Sequence, residues 1–268
     1  MKYFRLDSFL ADKGMSSSRE KAKREILAGW VKVDGETIRD VSKKITGQEN
    51  ILVERPSGLF ASRGGEKLKK ALDYFNISVS GLIAADLGAS TGGFTDCLLK
   101  AGALKVYAID VGYGQLDYTL QRNHSVIVMD RTNVRKLNVN SFPERPHFVT
   151  VDLSFISVTK IIDVLKAVFD NCEGIMLIKP QFEANKPEQK KGVVKNPEVH
   201  SKILHRTLQA MCENGVSIKG LTFSPVKGPA GNIEFLVYFS VGAVGVGVTP
   251  TPTDIITETV EEAHKLLA

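Results

Sequence analysis

Two regimes of hydrophobic patterning divide the chain. In residues 1–54 the elements are short. Leu6, Phe9 and Leu10 recur at the spacing of one helical face, and Ala22, Ile26 and Leu27 repeat it after Ser16-Ser17-Ser18, whose hydroxyls suit a helix start. Gly29 closes this second helix, since glycine tolerates the left-handed conformation that ends a helix. Trp30-Val31-Lys32-Val33 predicts a strand, Asp34-Gly35 a tight hairpin turn and Glu36-Thr37-Ile38 the return; Ile51-Leu52-Val53 predicts a further strand. Pro56, Ser57 and Gly58 lie in a turn-rich stretch, 54–62, that predicts a linker. The division expected is a small α+β domain over 1–58, a linker over 59–62 and a second domain over 63–268.

From residue 63 onward apolar runs ending in polar residues alternate with amphipathic stretches. Leu82–Asp86, Val106–Asp110, Val126–Met129, Phe148–Asp152 and Ile175–Lys179 predict strands, and Ile156–Phe169 predicts one of the intervening helices. Such alternation points to a mostly parallel sheet covered on both faces. Leu221–Ser224 and Ile233–Ser240 are separated by a Pro/Gly loop instead of a helix, so they are expected to pair antiparallel. The fold class is therefore α/β: a doubly wound, Rossmann-like sheet with an antiparallel C-terminal hairpin, the variant used by methyltransferases, plus the small N-terminal α+β domain.

Composition adds limits. Of 268 residues 43% are hydrophobic and 24% charged, which supports a packed core and argues against global disorder. The net charge of +5 permits nucleic-acid binding without establishing it. It is densest near the N-terminus, where Lys13 to Arg24 contains five basic residues and one acid, Glu20. Arg5, Lys13, Ser18, Arg19, Lys21, Lys23 and Arg24 form a candidate phosphate-binding face, although an ordinary solvated face has the same look. Cys97, Cys172 and Cys212 are far apart and match no metal or disulfide spacing; they read as core residues in a reducing compartment, and no metal site is expected. The first residues hold no apolar run suited to a signal peptide, and the uncharged run from Phe235 to Asp254 is broken by glycine, threonine and proline. A cytoplasmic protein without stable membrane association is expected, of undetermined oligomeric state.

The candidate chemistry gathers at strand ends. Asp86-Leu87-Gly88-Ala89-Ser90-Thr91-Gly92-Gly93-Phe94 follows the first strand of the sheet and opens a helix; its glycines allow a tight turn and close approach of backbone to a ligand. Asp110 ends the second strand, where an acid can bind a ribose hydroxyl pair, and Asp130 ends the third, where it could meet an adenine edge. Asp86 at the mouth of the turn would oppose a pyrophosphate but suit the ammonium of a methionine moiety, and no phosphate-loop motif is present. This favours S-adenosylmethionine over a dinucleotide. Asp152 and Lys179 end the fourth and fifth strands, Lys67 opens the helix before the first, and Glu234 lies in the last hairpin. Singly, each is as easily a capping or solvated residue. Two charges terminating apolar strands on the crevice side, however, need a reason.

Taken in order, Arg63-Gly64-Gly65-Glu66-Lys67-Leu68, Asp152-Leu153-Ser154-Phe155-Ile156-Ser157, Lys179-Pro180-Gln181-Phe182-Glu183 and Gly231-Asn232-Ile233-Glu234 resemble the TlyA family over nearly the whole chain. That family joins an S4-like RNA-binding domain to an FtsJ-like 2′-O-ribose methyltransferase. The resemblance implies a tetrad of Lys67, Asp152, Lys179 and Glu234, S-adenosylmethionine as cofactor, and structured ribosomal RNA or ribosomal subunits as partner, with cytidine the expected nucleotide. A ribose hydroxyl is a poor acid, so its proton must leave as the bond to carbon forms; Lys179 would serve as base or as stabiliser of the developing alkoxide, with Asp152 orienting it and Glu234 holding Lys67. Proteins of this family also carry the label haemolysin, but the final helix, Ile255–Leu267, is acidic in its middle and suits an anionic membrane poorly. A non-catalytic assembly factor is disfavoured by the intact motif residues. Carbon methylation would want a nucleophilic cysteine at the crevice, and Cys97 is expected in the core instead.

Overall fold

The computed structural model of the chain describes residues 3–16, 18–54, 60–242 and 253–267; Ser17, the expected linker residues Pro56, Ser57 and Gly58, and 243–252 of the uncharged run lie outside them. In the N-terminal part, β1 (Phe4–Arg5) runs into α1 (Leu6–Asp12), followed by α2 (Arg19–Leu27), β2 (Val31–Val33), β3 (Glu36–Ile38), β4 (Lys44–Ile45) and β5 (Ile51–Val53). Ser18 caps α2, its hydroxyl accepting from the Lys21 N–H. The β2–β3 hairpin turns on Asp34 and Gly35, both at positive φ. Leu6, Leu10, Ala22, Ile26, Val31 and Ile45 close a core of their own. The antiparallel β1–β4 pair was not anticipated: two residues per strand carry no readable period.

The second part contains α3 (Gly64–Tyr74), β6 (Ile83–Leu87), α4 (Gly93–Lys100), β7 (Lys105–Ile109), α5 (Tyr118–Gln121), β8 (Val126–Met129), β9 (Phe148–Val151), α6 (Ile162–Val168), β10 (Cys172–Ile178), α7 (Pro180–Glu183), α8 (Pro197–Glu213), β11 (Val216–Phe223), β12 (Phe235–Val241) and α9 (Thr253–Leu267). Seven strands form one sheet in the order β11-β12-β10-β9-β6-β7-β8. The five from β10 to β8 are parallel, and β12 is antiparallel to both β10 and β11. The expected strands all form. Ile156–Phe169 differs: it is a 3-10 turn over Val158–Ile161 leading into the shorter α6, because the residues before it are drawn toward the site described below.

One face of the sheet packs under α6, α8 and α9 through Val151, Met176, Leu204, Phe235 and Ile256. The other packs under α3 and α4 through Leu68, Leu72, Leu98, Val106 and Ile175. Strand order reverses between β6 and β9, so their carboxyl ends diverge and leave a crevice, the place where open α/β sheets bind ligands. Among the described residues, no helix is long and apolar enough to cross a membrane.

Candidate active site

Glycines bring the walls of the crevice together. Gly88 follows β6 at φ +93°, and a Cβ there would stand 2.5 Å from the Asp152 carbonyl oxygen. A Cβ on Gly93 would meet the Gly65 nitrogen at 2.9 Å and the Gly64 Cα at 3.1 Å, so the start of α4 reaches α3 this closely because position 93 is glycine; a Cβ on Gly65 would instead meet the Phe60 side chain. This close approach places Lys67, on the first turn of α3, beside the glycine turn.

Lys67, Asp152, Lys179 and Glu234 line one cavity of 280 Å³, together with Arg63, Gly88, Ser90, Thr91, Gly93 and Phe94. The four charges form two pairs. Lys67 Nζ donates to Glu234 Oε2 at 2.6 Å, with both residues buried. Removing either partner would strand the other charge, at a cost of about 3–5 kcal/mol. Lys179 Nζ lies 2.6 Å from Asp152 Oδ1, outside hydrogen-bonding alignment, and donates to Ser154 Oγ at 2.9 Å. Asp152 and Lys179 each stand one residue past the end of their strand, and Pro180 keeps Lys179 extended before α7.

The other motif residues brace these four. Glu183 accepts from the Ser157 hydroxyl and from the Val158 N–H, tying α7 to the loop that carries Ser154. Buried Asn232 accepts from the Val194 N–H and donates to the Gly192 carbonyl, each at 3.0 Å, fixing the segment that delivers Glu234. Among the residues not singled out from the sequence, Ser154 lines this cavity and Phe155 lines the one beside it. Phe155 is 91% exposed at φ +64° and packs on the Phe182 ring at 5.2 Å. An aromatic among the polar residues of a motif segment was the available signal for it.

A second cavity of 450 Å³ adjoins the first and shares Gly88, Ser90, Asp152 and Ser154 with it. Its sides are Ile109, Val111, Val134, Leu153, Ile156 and Ile161, with Asp110, Gln115, Asn133 and Arg135 as further polar groups. Asp110 is fixed by the N–H groups of Ser90 (2.8 Å) and Gly112 (2.7 Å). Gly92 stands behind the turn at φ +91° and lines neither cavity.

Two expected ligand-contacting residues, Asp86 and Asp130, line neither cavity. Asp86 does not reach the mouth of the turn: it is fully buried, accepting from Thr95 Oγ1 at 2.7 Å and Thr150 Oγ1 at 2.9 Å, and burial pushes its carboxyl up to about 7. Asp86 lies within β6, and the pleat turns its side chain under α4. Asp130 accepts from the Gly114 N–H at 2.8 Å and lines neither cavity; Asn133 takes the polar position at the slot. Cys97, Cys172 and Cys212 are buried, as expected, and burial pushes the Cys97 thiol up to about 12.

The basic face of the N-terminal part is not uniform. Arg5 and Arg19, both half exposed, converge on buried Asp7, whose carboxyl the Arg5 hydrogen bond holds well below the usual range. Lys23 pairs with Glu20, and Lys13 stands over the Phe9 ring. Arg24 is exposed. Ser18 is engaged as the cap of α2, and Lys21 is turned away from this face onto Asp117.

Residues 60–241 match the FtsJ-like methyltransferase family, and residues 4–51 match the S4 domain. The "16S/23S rRNA (cytidine-2′-O)-methyltransferase TlyA" of Mycobacterium tuberculosis is 37% identical over 237 residues, covering 87% of this chain and 88% of its own. Hemolysin A of Brachyspira hyodysenteriae is 42% identical over 238 residues, covering 88% and 99% respectively. A solved structure from Streptococcus thermophilus, described as a candidate hemolysin, covers 99% of this chain and 97% of its own at 38% identity and a TM-score of 0.74. With an S4 domain ahead of an FtsJ-like domain, and relatives of this identity along most of its length, the chain belongs to the TlyA family.

Proposed function

We propose that the protein methylates ribose 2′-hydroxyl groups of ribosomal RNA, cytidine among them, with S-adenosylmethionine as donor. Residues 1–58 would serve as the RNA-binding domain and 63–268 as the catalytic one. The observation that carries this reading is the juxtaposition of two lysine–carboxylate pairs with a glycine-lined crevice at the sheet's switch point. The residues present fit the cofactor. The slot has apolar walls for an adenine, a fixed carboxylate, Asp110, for ribose hydroxyls, and Asn133 for a base edge. The cradle of Gly88, Ser90, Thr91, Gly93 and Phe94 leads from there to the four charges.

When bound, S-adenosylmethionine supplies an activated methyl group on sulfonium, so the protein's task is to position the acceptor and remove its proton. The acceptor hydroxyl must lose its proton as its oxygen takes the methyl group. Lys179, aimed by Asp152 and Ser154, would either receive that proton as a neutral amine or, kept charged, stabilise the developing alkoxide while water takes the proton. Lys67, fixed by Glu234, lines the same cavity. Phe155 offers an exposed ring at the mouth on which a nucleobase turned out of its stack can rest.

The test is transfer of labelled methyl from S-adenosylmethionine to ribosomal RNA and to ribosomal subunits, followed by nucleoside analysis. Label is expected in a 2′-O-methyl nucleoside, and Lys179→Ala should slow single-turnover transfer by about 10²-fold or more. Near-normal transfer by that variant removes Lys179 from the reaction. Label confined to a base removes the ribose assignment.

A further inference from the structure

Lys21 belongs to α2 of the S4 domain, yet its side chain crosses to the methyltransferase domain. Its Nζ lies 2.6 Å from Asp117 Oδ2 and donates to the Ala61 carbonyl at 3.2 Å. The two side chains are only 18% and 7% exposed, so the pair is largely out of water. Both contacts lead to the cofactor turn. The Asp117 N–H donates to the Thr91 carbonyl, and its other oxygen caps α5 by accepting from the Thr119 N–H and hydroxyl. Leu116 and Leu120, on either side of Asp117, fill the space beside Gly92 so closely that a Cβ there would stand 2.8 and 2.3 Å from them. From the other contact, the Ala61 N–H donates to Asp96 on α4, the helix the turn opens.

We propose that Lys21 and Asp117 are a positioning pair through which docking of the S4 domain sets the Thr91–Gly93 turn, so that Lys21 governs cofactor affinity and contacts no phosphate. The inference rests on the reading of the crevice as an S-adenosylmethionine site. A paired charge withdrawn from water holds its geometry firmly, and its loss leaves the partner carboxylate without compensation. The Asp117 carboxylate would then turn toward solvent, and the 116–120 backbone, whose Asp117 N–H holds the Thr91 carbonyl and whose leucines stand behind Gly92, would lose its tie to the S4 domain. Coupling of this kind is reciprocal: RNA seated on α2 and cofactor in the crevice each alter the other's affinity by the same factor.

The experiment uses the full-length protein without RNA, titrated with S-adenosylmethionine by calorimetry. Lys21→Ala should weaken binding on the order of tenfold, within the usual span of coupling between sites. Lys21→Arg, which keeps the charge, should restore most of it. In steady state Lys21→Ala should raise the KM for S-adenosylmethionine while kcat at saturation stays within about twofold. Trp30, the chain's one tryptophan, lines a third cavity, between the two domains, together with Lys21 and Ala61, and its emission should shift in Lys21→Ala. Asp117→Asn, which keeps the α5 cap oxygen and removes only the charge, should weaken binding likewise; it decides the matter should Lys21→Ala fail to fold. Unchanged S-adenosylmethionine affinity in the folded variants overturns the proposal, and so does a Lys21→Ala protein that instead loses one phosphate's worth of RNA salt dependence, a slope change of about 0.7–0.9. Wild-type protein that binds S-adenosylmethionine but methylates no RNA sinks the proposed function and leaves the pair to be decided by the titrations. Wild-type protein that binds none overturns both.

Discussion

At the scale of single residues, the site depends on atoms that are missing as much as on charges that are present. Gly88 and Gly35 both have positive φ, +93° and +86°, but only Gly88 has a neighbour where a Cβ would go. Alanine at either position meets left-handed strain of about 1–2 kcal/mol. At Gly88 it must also push back the Asp152 backbone, since the Asp152 carbonyl oxygen would be 2.5 Å from the new carbon. Gly88→Ala should therefore lose clearly more unfolding free energy than Gly35→Ala in urea titrations, and should alone lose S-adenosylmethionine binding. Equal losses and intact binding in both variants would mean that the crevice is not shaped by this contact. The same scale separates the acids. Asp110 and Asp152 stand one residue past their strand ends and reach the cavities, whereas Asp86 stands within β6 and is turned by the pleat toward Thr95 and Thr150. A run of apolar residues ending in an acid marks the right edge of the sheet. It does not say on which side of the last peptide the acid stands, which separates Asp110 and Asp152 at the cavities from buried Asp86, nor where the following loop turns an acid such as Asp130, which stands one residue past β8 and lines neither cavity.

At the scale of elements, apolar runs and their polar ends made the seven-stranded sheet legible, including the antiparallel return of β12, because each strand is long enough to show a pattern. The order of motif segments made the four-charge cluster legible through resemblance. So was the pairing of Asp152 with Lys179 and of Glu234 with Lys67, although Lys67 and Glu234 are 167 residues apart and only the closed sheet brings them together. The packing of α8 on α9 was not. His200 on α8 is fully buried against Phe235, with Nδ1 2.8 Å from His264 Nε2 on α9. Burial, reinforced by His264, lowers the His200 pKa to about 4. The unfolded chain therefore takes up the proton first on acidification, so this contribution to stability is complete at neutral pH and lost as pH falls from about 6.5 toward 4. Between pH 7 and 4.5 the wild type should lose roughly 2–3 kcal/mol more than His200→Leu, measured by denaturant unfolding at each pH. Parallel losses in the two proteins would show that His200 is protonated in the folded state without cost.

At the scale of the whole molecule, the net charge of +5 says little until the structure sorts the cations by what already holds them. Lys67, Lys179 and Lys21 are held by carboxylates inside the protein. Arg5 and Arg19 are gripped by Asp7 from below yet half exposed, so their guanidinium groups are fixed in place with donors still facing water. Lys13 and Arg24 are exposed on the same domain, and Arg63 is exposed at the rim of the crevice. Arg24 and Arg63 share a cavity between the two domains, so these cations are candidates for a path by which a polyanion would reach the four-charge cluster. If RNA lies along it, affinity must fall linearly in a plot of logarithm of affinity against logarithm of salt, because each phosphate neutralised releases counterions. Lys13→Ala, Arg24→Ala and Arg63→Ala should each weaken binding across RNA sequences and flatten that slope by about 0.7–0.9, a single phosphate's share. Arg5→Ala should do the same and in addition destabilise the domain, because it leaves buried Asp7 with Arg19 alone. Filter-binding or anisotropy titrations over a salt series distinguish these outcomes. An affinity indifferent to salt, or slopes that none of the four substitutions alters, would place the RNA on another face of the molecule and leave these cations as ordinary solvated charge.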